Sequence, residues 1–75
     1  MTKEDLNLVE KAAVDLMFLF IMNSNDKGNV TGEGLARLSE RFGDVPVENR
    51  ADVYKTFTNK LIERGIKFDQ TQFGY

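Results

Sequence analysis

Apolar positions recur along the chain at intervals of three and four in three stretches, each closed by turn-forming residues. In the first stretch Leu6, Val9, Ala13, Leu16, Met17 and Phe20 fall on one stripe of a helix that the pattern carries to about Met22. Thr2 is placed as its N-cap, Asp5 completes a pattern like a capping box, and Glu4 and Asp5 suit the positive end of the helix dipole. The Asn, Ser, Asp and Gly residues of 23–28 end this helix. Val30 lies in an extended neighbourhood, and Thr31 is placed to cap a second helix with Glu33 in its first turn and Leu35, Leu38 and Phe42 facing inward. Gly43 is positioned as its C-terminal cap. Asp44 and Val45 connect to Pro46, which suits the first turn of a third helix, where a missing N–H costs nothing. That helix is predicted from about Val47 to Arg64, with Val47, Ala51, Tyr54, Phe57 and Leu61 inward and Gly65 as its stop. Ile66, Lys67 and Phe68 alternate and predict a short strand able to pair with 29–31. A polar tail, 69–75, contains Phe73 and Tyr75.

The element order is therefore helix, short extended stretch, helix, helix, strand. It predicts a mainly α fold: a three-helix helix-turn-helix core with a short β strand pair, the layout of a truncated winged helix. A chain of 75 residues is one small domain, divided here into helix 1 (1–23), the helix-turn-helix and strand (29–68) and the tail (69–75). Domains of this size bury a limited share of their surface, so a partner surface is expected.

Composition narrows the chemistry. No cysteine is present, which removes disulfides and thiolate sites and fits a cytoplasmic protein. No histidine is present either, which removes the commonest general base and the commonest transition-metal ligand. Asp and Glu fall on predicted solvent faces, and no glycine motif has the spacing of a phosphate loop. We therefore expect a non-enzymatic protein with no catalytic residues, no metal, no cofactor and no small-molecule substrate. Ten basic and twelve acidic residues are mixed along the chain, with no basic block to follow a phosphate backbone. The apolar run Leu16–Met22 is far shorter than the roughly 20 residues of a membrane span, so no membrane role is expected. The start of the chain lacks the basic residues and cleavage site of a secretion signal.

Three features bear on function. From Ala12 onward helix 1 is no longer apolar on one stripe alone: Val14, Phe18 and Ile21, with Met22 beside them, form a second row. Either the Phe73 and Tyr75 tail folds back over this row, or the row is a self-association or partner surface anchored by Phe18 and Met22. On helix 3, Asn49, Asp52, Thr56, Asn59, Lys60 and Glu63 share the predicted outward face, with Lys55 at its edge and Arg37, Arg41 and Arg50 near the helix 2–helix 3 connection. Asn49, Lys55, Thr56, Asn59 and Lys60 form a candidate face for nucleic acid or a polar partner, opposed by Asp52 and Glu63. The third feature is the 23–34 loop, which has the oxygen side chains and central glycine of a calcium loop. Lys27 stands among its would-be ligands and Gly34 where a bidentate carboxylate is required, so ordinary turn chemistry is the reading kept. Asp15 lies at the border of the apolar part of helix 1, within reach of Lys11 four residues earlier.

Lys27 and Gly28, Val30 and Thr31, Leu35, Pro46, Leu61, and Gly65 with Ile66 stand where winged-helix domains have similar residues. Over Leu16–Asp69 the chain resembles that group, and within it is loosely similar to region 1.1 of primary bacterial sigma factors. The resemblance implies a winged-helix fold and a role as a small regulator, of the kind phages encode, whose target is DNA or the transcription machinery. The expected function is binding and regulation by protein–protein contact on a nucleic-acid-handling machine, with a protein partner or a homodimer. The alternative is a dimeric sequence-specific DNA-binding regulator.

Overall fold

The computed structural model describes residues 3–68. Its elements are α1 (Lys3–Asn23), α2 (Gly32–Gly43), a single 3-10 turn (Val47–Asn49) and α3 (Arg50–Glu63). The Thr2 cap and the tail with Phe73 and Tyr75 lie outside the described residues. Helix α1 is the axis of the fold, and both other helices pack on it. Val9, Ala12, Ala13, Leu16, Met17 and Phe20 form its buried stripe, met by Val30, Leu38 and Val45 and by Val53, Phe57 and Leu61 of α3. Among the largest fully buried side chains, Phe20 and Phe57 pack edge to face with centroids 6.1 Å apart. Phe68 meets each of them at the same separation, and Tyr54 lies against Phe57 and Phe68. Such geometry sets positive ring edges against negative ring faces and adds about 0.5–1.5 kcal/mol per pair beyond burial.

Local chemistry places the ends of the elements. Asn23 donates from its side-chain amide to the Leu19 carbonyl (2.7 Å), satisfying an acceptor in the last turn of α1. The Asn25 side chain then accepts from the Lys27 and Asn29 amides, closing a tight turn through Gly28. Thr31 caps α2 as expected, its hydroxyl accepting from the Gly34 amide at 3.0 Å. Helix α3 ends as the sequence predicts, at Gly65 (φ +68°). The Ile66 amide donates to Leu61 and the Gly65 amide to Ile62, the paired bonds of a Schellman ending.

Four expectations are corrected. No β strand is present among the described residues, so the strand pair and the truncated winged helix are not there. The Schellman ending commits the Ile66 amide to α3, and the isolated bridge among the described residues joins Val30 to Ser24. The two segments still approach closely: a Cβ on Gly28 would stand 2.6 Å from the Lys67 carbonyl carbon. Among the described residues they cross at close range with no strand assigned to either. The alternation of Ile66, Lys67 and Phe68 is real, with the two apolar residues packed on the core and Lys67 exposed.

The second correction concerns the phase of helix 3. Val47 is 72% exposed and Ala51 is exposed, whereas Val53 and Asn49 are buried. Residues 47–49 form a 3-10 turn of three residues per turn, so a phase carried from Val47 at 3.6 per turn arrives rotated at α3. The third is Leu6, placed in the core stripe by spacing but 56% exposed. The fourth is Gly43, which lies inside α2; Asp44, with φ −77°, is the C-cap.

These contacts separate the glycines. Gly28→Ala forces φ +82° on a residue with a Cβ and drives that Cβ into the 67–68 backbone. It should lower unfolding free energy by about 2 kcal/mol or more. Gly43→Ala has open space and an α conformation, and should raise it by about 0.5–1 kcal/mol. Paired urea denaturation of the two variants checks both signs.

Candidate protein-contact surface on helix α1

Successive α-helical residues rotate by about 100°, so the face opposite the Val9, Ala13, Leu16 and Phe20 stripe is set by sequence alone. That face carries Lys3, Glu4, Asn7 and Lys11 in its first half and Val14, Phe18, Ile21 and Met22 in its second. Val14 is half-buried, but Phe18 is 56%, Ile21 45% and Met22 79% exposed. The structure thus brings the four residues of the second row onto about two and a half turns of helix, on the side away from the core. An open depression between Met22, Asn25, Asn29 and Thr31 lies at the end of the row. Contiguous apolar surface of this kind, rather than scattered exposed side chains, marks contact sites in soluble proteins.

The polar residues nominated on helix 3 do not form one face. Lys55 and Asn59 are exposed, Thr56 is half-buried, and Asn49 is buried at 6% exposure. Lys60 reaches across to α1, where its ammonium donates to the Glu10 carboxylate. The shift of phase described above moves Asn49 inward and draws Lys60 toward α1. The arginines near the α2–α3 connection are also engaged. Arg37 pairs with Glu33 at 2.8 Å, and Arg50 donates to the Gly43 and Val45 carbonyls, holding the connection. Arg41 pairs with Asp15 at 3.0 Å, so Asp15 is neutralised from α2 and not by Lys11, as its helical spacing had suggested. A long-range pair of this sort could not be found from i,i+4 rules.

Sequence reasoning missed further exposed apolar residues, Ile62 at 66% and Leu8 at 37%. No helix among the described residues is long and apolar enough to cross a membrane. Nor, among those residues, do three or more Asp or Glu side chains gather where a metal ion could be held. In the 23–34 loop the Asn25 carboxamide oxygen is occupied by two backbone amides, consistent with turn chemistry. Comparison of the chain with protein-family models, with curated proteins and with solved structures found no match.

Exposure separates side chains that hold the fold from those that do not. Phe20→Ala, which opens a cavity in the aromatic cluster, should cost about 3–5 kcal/mol of stability. Phe18→Ser and Met22→Ser, two residues or fewer away in sequence, should each stay within about 0.5 kcal/mol of the wild type. Thermal or urea unfolding followed by circular dichroism reads the difference.

Proposed function

We propose that this chain is a small non-enzymatic binding protein that acts by protein–protein contact through the outward face of α1. The observation that carries this reading is the exposed Phe18, Ile21 and Met22 row, placed opposite the buried stripe of the same helix. A side chain exposed without a partner gains nothing from the hydrophobic effect, which is worth roughly 25 cal/mol per Å² of apolar surface removed from water. Aromatic and Met side chains in such a position are the usual anchors of protein contacts, because they bury much area for few frozen torsions.

A nucleic-acid-handling machine as target was implied by the winged-helix resemblance. With the strand pair gone, nothing in the described residues favours that target over another protein. DNA binding draws less support from the geometry than protein contact does. Asn49 is buried and Lys60 is paired with Glu10, which leaves Lys55 and Asn59 as the exposed members of the nominated polar set. Two such residues are few against the several phosphate contacts that non-specific DNA affinity requires.

Replacement of Phe18 by a photoreactive benzoylphenylalanine should give covalent protein adducts in extracts of the native host, whereas the same group at Asn59 should give few. Adducts from position 59 alone would sink the reading. Fluorescence anisotropy with mixed-sequence duplex DNA should show no salt-dependent affinity for Lys55→Ala to remove.

A further inference from the structure

We infer that the occupant of the α1 outward face is a second copy of this chain, packed antiparallel with its two-fold axis near Phe18. The inference rests on the proposed protein-contact role and names the partner. A two-fold contact must be self-complementary: whatever one copy presents on one side of the axis, the other must match from the opposite side. The row meets this condition. With Phe18 against Phe18, Val14 lies four residues before the axis and Met22 four after it, so each small, half-buried Val14 faces the large, 79% exposed Met22 of the other copy. A large side chain opposite a small one lets two helices approach closely.

Charge gives the second argument. Lys11 lies on the same outward face, seven residues before Phe18, or about 10 Å along the axis. In the antiparallel arrangement it comes beside the C-terminal end of the other copy's α1. That end carries no basic residue in its last turn, so the negative pole of its dipole has no cation on its own helix. Three residues past Asn23 stands Asp26, exposed, in a loop fixed by the Asn25 side chain and by the Ser24–Val30 bridge. Neither Lys11 nor Asp26 has an ion pair among the described residues, unlike Asp15, Glu10 and Glu33. Antiparallel packing supplies each with the other, twice per dimer, whereas a parallel pair would set Lys11 against Lys11. The apolar row covers only about two and a half turns of one helix. Stable interfaces bury roughly 1,200–2,000 Å² in total, so the expected dimer is weak and concentration-dependent.

Sedimentation equilibrium on the full chain, from about 1 μM to about 1 mM, tests this. The wild type should pass from monomer to dimer across the range. Phe18→Glu should weaken association at least about 30-fold while leaving the circular dichroism spectrum unchanged. Met22→Lys, at the most exposed position of the row, is the second variant should Phe18→Glu fail to fold. Lys11→Glu and Asp26→Lys should each weaken the dimer by about 3- to 10-fold at low salt, and the double exchange K11E/D26K should recover most of the loss. A chain that stays monomeric to about 1 mM overturns the inference; adducts from position 18 would then leave the protein-contact role standing. A dimer indifferent to Phe18→Glu overturns it too, and if position 18 also gives no adducts, both readings fail. A charge exchange that restores nothing overturns the antiparallel register.

Discussion

The contact between Phe20 and Phe57 holds the two longest helices together, and Phe68 completes it from the segment after Gly65. The other placements follow from this one. Once Phe20 faces α3, 3.6-residue periodicity turns Leu16, Ala13 and Val9 to the same side and leaves Val14, Phe18, Ile21 and Met22 on the other. Once Phe68 enters the cluster, the segment after Gly65 is drawn across the 25–29 turn, and Gly28 becomes the residue that permits the crossing. A side chain there would separate the two backbones and pull Phe68 out of the aromatic group. A small protein with few core residues depends heavily on such a junction, because three elements lose contact together if it loosens.

The legible parts of this fold were those fixed by local chemistry. Thr31 as a cap, Gly65 as a stop and the stripe from Val9 to Phe20 all rest on interactions within a few residues, and the structure has them. What was not legible depended on pieces meeting at a distance. The strand expected at Ile66–Phe68 had the right alternation, but alternation records only which side is apolar, and a chain crossing a core shows it as well as a strand does. Ile66 and Phe68 pack on the core with no strand assigned among the described residues. The phase of helix 3 failed for a local reason invisible in composition: Val47–Asn49 winds as a 3-10 turn, and a small phase error at the start turns a whole face. On the candidate surface, the α1 row lies within one regular helix, so its arrangement follows from spacing alone. The polar set on helix 3 inherited the phase error at Asn49 and the unforeseen reach of Lys60 to Glu10.

Electrostatics in this molecule is organised mostly within the fold. Arg41 with Asp15 ties α2 to α1, Lys60 with Glu10 ties α3 to α1, and Arg50 fastens the α2–α3 connection by two main-chain carbonyls. Each pair is partly exposed, and individually such pairs contribute little to stability. Their placement matters more: Arg41, Arg50 and Lys60, three of the cations the sequence offers to a phosphate backbone, are held against the protein itself. That arrangement fits the proposed contact through an apolar face, with charge at its margins.

The apolar row has a further consequence for how α1 must be built. A helix that is apolar on two sides gains little orientation from its hydrophobic pattern, since either side could face the core. In the first half of α1 the outward side carries Lys3, Glu4, Asn7 and Lys11, which forbid the reversed orientation; in the second half only Asp15 does so. Asp15 is tied to Arg41 of α2, so the rotation of α1 is set by a polar contact where apolar ones are ambiguous in direction. Buried or half-buried polar groups that fix one arrangement among several are a recognised source of structural specificity. Here they leave Phe18 and Met22 outside at no cost to the core, so the surface could change with a partner while the fold beneath it stays the same.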